Sequence, residues 1–151
     1  GKDYPIWIKI NSSDIVDGGL SAKESLWACK ELDNRGINGI EVSGGIGISL
    51  ESAPTRTSAN QDGGTFSEHA LSVAKNVGAS VISVGGYRAP DSIEQLLNRG
   101  QVSAVSLCRP LICEPGLPKI WEQGDRRKAK CISCNKCFDY ASGFGCKVFS
   151  L

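Results

Sequence analysis

The stretch Ser80-Val-Ile-Ser-Val84-Gly85-Gly86-Tyr87-Arg88, followed by Ala89-Pro90-Asp91-Ser-Ile-Glu-Gln-Leu-Leu97, decides the fold. Five strand-forming residues run into a glycine pair, and a helical segment with Ile93, Leu96 and Leu97 apolar follows and closes at Gly100. The same unit recurs on both sides. Downstream, Val102-Ser-Ala-Val-Ser-Leu107 is a strand running into Cys108-Arg109-Pro110, and Pro118 to Glu122 begins a last helical piece. Upstream, Gly39-Ile-Glu-Val-Ser43 is a strand ending in Gly44-Gly45. A long polar loop from Ile46 to Asp62 follows, and then a helix from Ser67 to Val77. Long loops inside compact domains are often functional. Further upstream, Pro5-Ile-Trp-Ile-Lys-Ile10 is a strand. Ser21-Ala-Lys-Glu24 has capping-box spacing for a helix through Leu26, Cys29 and Leu32, which Arg35-Gly36 stops.

Four β-α units in succession predict parallel strands joined by right-handed helical crossovers. An open doubly wound sheet and part of a closed barrel both fit this alternation. A complete eight-stranded barrel needs about 250 residues, and the chain has 151. A half-barrel leaves two strand edges unpaired, so on this reading a companion half completes it, as a separate chain or as a segment missing from this one. The start of the sequence, just before a strand and without Met, suits a piece of something longer.

Composition narrows the class. Hydrophobic content is 40%, charged content 22% and formal net charge +1, which fits a globular protein with no global field for nucleic acid or an anionic membrane. No apolar run approaches a bilayer span, and the N-terminus does not read as a signal peptide. Seven cysteines, an odd number, argue for a reducing, cytoplasmic setting rather than a disulfide scaffold. The basic run Arg126-Arg127-Lys128 reads as solvated surface, and Trp7, Trp27 and Trp121 are too dispersed to stack bases.

The strand ends carry the chemistry. In a parallel barrel Gly85-Gly86 with Arg88, and Cys108 with Arg109, share the rim where active sites sit and where the last two loops often take phosphate. Glycines let backbone N–H groups approach an oxyanion, and arginines add bidentate donors.

The segments Pro5-Ile-Trp-Ile-Lys-Ile10, Gly39-Ile-Glu-Val-Ser-Gly-Gly45, Val84-Gly-Gly-Tyr-Arg88 and Val105-Ser-Leu-Cys-Arg-Pro-Leu-Ile112 follow in order, with Glu114 to Gly124 and Lys130-Cys-Ile-Ser-Cys-Asn135 after them. Together they resemble the C-terminal half of the old yellow enzyme family, the NADH:flavin oxidoreductases, over almost the whole chain. The resemblance implies an α/β fold: strands five to eight of an FMN-binding (β/α)8 TIM barrel over residues 1–124, with a Cys-rich extension over 125–151.

It also implies FMN as cofactor. Lys9 matches the cation at the end of the fifth strand that approaches the flavin pyrimidine edge, where the family usually has Arg. Gly85, Gly86 and Arg88 match the seventh-strand segment near the phosphate, and Cys108 and Arg109 match the Gly-Arg pair of the eighth. Cys108 is expected to act through its backbone N–H. The implied partners are NAD(P)H and a small-molecule acceptor such as an activated alkene, with room for a homo-oligomer. The family's substrate-anchoring histidines lie on the other half, so no catalytic residue is assigned here and the chain alone is expected to be inactive. His69, the single histidine, reads as an ordinary helix residue. The alternative is a non-catalytic phosphate-ligand or metal-binding module of the same fold.

Cys131-Ile-Ser-Cys134-Asn-Lys-Cys137, with Cys146 beyond, places thiols at metal-ligand spacing. A branch of the family has a [4Fe–4S] cluster at this position, though its second and third gaps are longer. A [4Fe–4S] cluster, a structural zinc and free or oxidised thiols all remain open at this stage.

Overall fold

A computed structural model describes residues 3–46, 63–139, 141 and 143–149. Most of the long polar loop, residues 47–62, lies outside them. The strands are β1 (Trp7–Asn11), β2 (Gly39–Ser43), β3 (Ser80–Val84) and β4 (Ala104–Ser106). The helices are α1 (Ala22–Asn34), α2 (Ser67–Ala74), α3 (Pro90–Leu97), α4 (Arg109–Cys113) and α5 (Leu117–Glu122). A 3-10 turn spans Lys136–Phe138. No helix among the described residues is long and apolar enough to cross a membrane.

The four strands form one parallel sheet in chain order, β1-β2-β3-β4. Each crossover carries a helix or lies beside one, as parallel pairing requires. Register fixes the two faces, because side chains alternate along a strand. Ile8 and Ile10, Ile40 and Val42, Val81, and Val105 turn toward the helices and join Cys29, Ala70, Leu71, Val73 and Leu96 in the core. The opposite face holds Lys9, Glu41, Ile82 and Ala104 in one row, since Lys9 pairs with Glu41, Glu41 with Ile82 and Ile82 with Ala104. On the same face Trp7, half exposed, lies over Gly39, where a Cβ would collide with the indole ring.

Local chemistry sets the element ends. Ser21 caps α1, accepting from the Glu24 N–H, while the Glu24 carboxylate accepts from the Ser21 N–H at 2.9 Å. Gly36 closes α1 at φ 85°. α2 stops at Ala74, three residues before the sequence-based boundary. The Asn76 side chain donates to the Ser72 carbonyl, and the Asp33 carboxylate takes the Gly78 and Ala79 N–H groups. Those bonds draw the chain into β3 before another helical turn can form. His69 sits on α2 with Nε2 3.1 Å from the Ser25 hydroxyl of α1, a contact between helices.

The C-terminal segment is bound to the sheet's last two units. The Ala129 N–H donates to the Arg88 carbonyl at 2.8 Å, and the Lys130 N–H to Glu114 Oε2 at 2.5 Å. Arg127 pairs with Glu114 at 2.7 Å, and Arg126 pairs with Asp91 and Glu94 of α3. The basic run is therefore largely a set of docking contacts rather than a free cationic surface.

Candidate functional site

The carboxyl ends of β2, β3 and β4, together with the middle of β1, open onto one groove of about 220 Å³. Lys9 stands at the β1 end. Gly85, Gly86, Cys108 and Arg109 line the β3–β4 end, and Ser43 lies between. Five of the six residues expected to hold a cofactor thus meet in one place. Phe66, Val84, Leu107 and Phe138 give the groove an apolar wall.

Two glycines shape its floor. Gly85 and Gly86 take φ of 109° and 83°, conformations that side chains disfavour. The Gly85 carbonyl accepts from the Thr65 N–H at 2.9 Å, and a Cβ on Gly85 would meet the Phe66 ring at 3.0 Å. The glycine pair therefore lets the backbone pass close under Phe66. Below it, Tyr87 is buried and shares a 2.7 Å hydrogen bond with Ser83. Burial pushes the Tyr87 phenol pKa up, and the Ser83 bond only partly offsets this.

The cations differ in setting. Lys9 is exposed, with Nζ 3.0 Å from Glu41 Oε1. Arg109 opens α4 and donates from Nη1 to Asn135 Oδ1 at 2.5 Å. Burial pulls the Arg109 pKa down, the neighbouring charge of Arg88 adds to this, and the sulfurs of Cys131, Cys137 and Cys108 oppose it. Arg88 does not line the groove. It is 5% exposed and donates from Nη2 to the Ser133 hydroxyl at 2.5 Å. Cys108 precedes α4, and its carbonyl accepts from the Leu111 and Ile112 N–H groups.

The four-cysteine metal expectation is not supported. Among the described residues no group of three or more His, Cys, Asp or Glu is placed to hold a metal ion. Cys146 accepts from the Phe149 N–H at 3.4 Å and from the thiol of Cys113, a residue the sequence left scattered. Burial pushes the Cys113 thiol up to about 12, reinforced by Cys146. Burial would raise Cys146 too, but the Phe149 and Val148 N–H groups and the Cys113 thiol outweigh it and lower it.

Phe66 and Phe138 were not foreseen as site residues. Phe66 follows the long loop directly, and Phe138 lies within the cysteine-rich segment, so neither belongs to a strand-end motif.

The arrangement provides an apolar slot between an ammonium group and a glycine–guanidinium end. That suits a flat, largely apolar ring system with an anionic tail.

No protein-family profile matches the chain. It is 34% identical over 137 residues to an NADH oxidase of Thermoanaerobacter brockii, covering 89% of this chain and 21% of that protein. It is 28% identical over 142 residues to a metal reductase of Desulforamulus reducens, covering 93% and 21%. A bilirubin reductase of Mediterraneibacter gnavus is 28% identical over 135 residues, covering 89% and 21%. The chain thus spans about a fifth of the length of these relatives. Among solved structures, a 2-naphthoyl-CoA reductase complexed with 2-naphthoyl-CoA superposes at a TM-score of 0.77 and 26% identity over 91% of this chain and 21% of that one. The old yellow enzyme homologue of Zymomonas mobilis follows at 0.55, with 17% identity over 81% of this chain and 32% of its own. Morphinone reductase gives 0.54 and 18% identity, covering 81% and 30%. The parallel sheet, the rim groove and these likenesses agree: the chain belongs to the old yellow enzyme family of (β/α)8-barrel oxidoreductases and carries the C-terminal half of the barrel.

Proposed function

We propose that this chain supplies the FMN phosphate and pyrimidine-edge contacts of an NAD(P)H:acceptor oxidoreductase of the ene-reductase type. One observation carries the reading: Lys9 at one end of the groove, and Gly85, Gly86, Cys108 and Arg109 at the other, with an apolar wall between. The fit of FMN rests on that donor set and on the glycine floor, which a Cβ would crowd. When bound, FMN supplies hydride exchange between a nicotinamide and an acceptor.

The chain's own residues have defined tasks. Lys9 holds a positive charge where electron density accumulates on the pyrimidine edge, and Glu41 moderates it. Arg109 binds the phosphate by charge-assisted hydrogen bonds. Phe66 and Phe138 keep water from the ring face. The inward row Lys9, Glu41, Ile82 and Ala104, with Trp7 beside it, faces the space that the other half of the barrel would fill. The acceptor and nicotinamide contacts are assigned to that half.

The test is an FMN titration of the purified protein followed by flavin absorbance and fluorescence. Saturable binding of FMN and weaker binding of riboflavin are expected, with NAD(P)H-dependent bleaching only when the other half of the barrel is present. A protein that carries no flavin and takes up none would sink the reading.

A further inference from the structure

We infer that Ser133 and Asn135 of the cysteine-rich loop are positioning residues for an anionic group at the β3–β4 end of the groove: Asn135 holds the Arg109 guanidinium that lines it, and Ser133 holds the buried guanidinium of Arg88, which supports that end from outside the groove lining. For the identity of that anion, the phosphate of FMN, the inference rests on the function proposed above. For the residues' roles it rests on the geometry of the loop.

Asn135 Oδ1 accepts from Arg109 Nη1, and Ser133 Oγ accepts from Arg88 Nη2, each at 2.5 Å. Ser133 is 4% exposed, so its hydroxyl is committed to the protein interior. Both anchors take left-handed backbone, with φ of 53° and 62°. Asn tolerates that region, but Ser does so poorly, and glycine would serve the turn better at both positions. Side chains at disfavoured backbone angles persist where surrounding contacts over-determine them. Here those contacts are the two arginines.

The loop is itself held in place. Before reaching Ser133 it is fixed by the Ala129 N–H on the Arg88 carbonyl and by the Lys130 N–H on Glu114. Glu114 is in turn held by Arg127. Arg88 is thus gripped by backbone and side chain from the same loop. An arginine has many rotamers, and fixing its fork in advance removes ordering that ligand binding would otherwise require. Two neighbouring guanidiniums also concentrate positive potential at one end of the groove.

The test compares the purified protein with its Ser133→Gly and Asn135→Gly variants. Glycine retains the left-handed turn and removes only the side-chain acceptor, so a purely structural role is preserved. Dissociation constants are measured for FMN, riboflavin and inorganic phosphate, with near-ultraviolet circular dichroism to confirm folding. FMN affinity is expected to fall about tenfold in each variant, with riboflavin unchanged and phosphate affinity falling in step. An unchanged FMN-to-riboflavin ratio together with unchanged phosphate affinity would overturn the positioning role, as would a wild type that binds neither phosphate nor FMN. A wild type that binds phosphate but no flavin would remove the flavin reading alone, and the phosphate series would still decide the roles of Ser133 and Asn135.

Discussion

Lys9 and Glu41 occupy facing positions on β1 and β2, and their side chains meet at 3.0 Å on the inward face of the sheet. The pairing makes Glu41 a control on the charge Lys9 presents to a flavin. Glu41→Gln should raise the midpoint potential of bound FMN and Lys9→Met should lower it. An exposed pair of this kind contributes about 0.5–1 kcal/mol, or about 10–20 mV for a two-electron couple. Spectroelectrochemical titration of the two variants measures it, and shifts of the same sign in both would refute the assignment.

Arg109 is the guanidinium that lines the groove. Arg109→Ala should weaken FMN binding about 10–100-fold, the equivalent of a lost charge-assisted contact of about 1.5–3 kcal/mol. Arg109→Lys should fall between, because it keeps the charge and loses the fork. Riboflavin affinity should not move. Fluorescence titration gives all three values.

Cys146 and Cys113 share a hydrogen bond but differ in acidity, with Cys146 below the ordinary thiol range and Cys113 pushed up to about 12. Thiolate is the reactive form. Alkylation with iodoacetamide should modify Cys146 at neutral pH and leave Cys113 unmodified until the protein is denatured. Peptide mass mapping at increasing pH follows the order, and modification of Cys113 first would contradict it.

His69 is held below its ordinary pKa by burial between α1 and α2. A folded pKa below the unfolded one means that the unfolded chain binds the proton more tightly. Stability from this group is therefore full above the unfolded pKa of about 6.5 and is lost as pH falls through it toward the folded value. Thermal melts taken from about pH 7.5 down to about pH 5 should show a falling midpoint, and His69→Gln should flatten the slope.

Leu71 is 1% exposed beneath β3, and Leu71→Ala should cost about 2–5 kcal/mol. Gly64→Ala should also destabilise, because its Cβ would collide with the buried Tyr87 ring. Denaturant titration reads both, and a neutral Gly64→Ala would mean that Tyr87 can shift.

Much of the fold is written locally. Gly39–Ser43 and Ser80–Val84 were bounded to the residue, because an apolar run ends at a glycine or a turn. The Ser21–Glu24 box places the start of α1. The errors arise where distant groups intervene. Asp33 of α1 ends α2 early by capturing the Gly78 and Ala79 N–H groups. α4 begins at Arg109, where the sequence suggested only the end of a strand, although Pro110 in the first helical turn was a usable signal. In the site, Gly85, Gly86, Cys108 and Arg109 could be found because each follows a strand, and Lys9 because it is the one cation within the β1 run. The inward turn of Arg88 could not, because its partner Ser133 lies in another segment and binds it only once the chain has folded. The pairing of Cys113 with Cys146 was hidden for the same reason.

The neighbour order of the sheet has a kinetic consequence. Each of β2, β3 and β4 pairs with the strand that precedes it in the chain, so no pairing within this sheet waits for a distant segment. Synthesis from the N-terminus can then extend the sheet one unit at a time. The segment carrying Ala129, Ser133 and Asn135, which emerges after all four strands, is the one that fastens onto Arg88 and Arg109. The anion-binding end of the groove is therefore completed only after the sheet beneath it has formed.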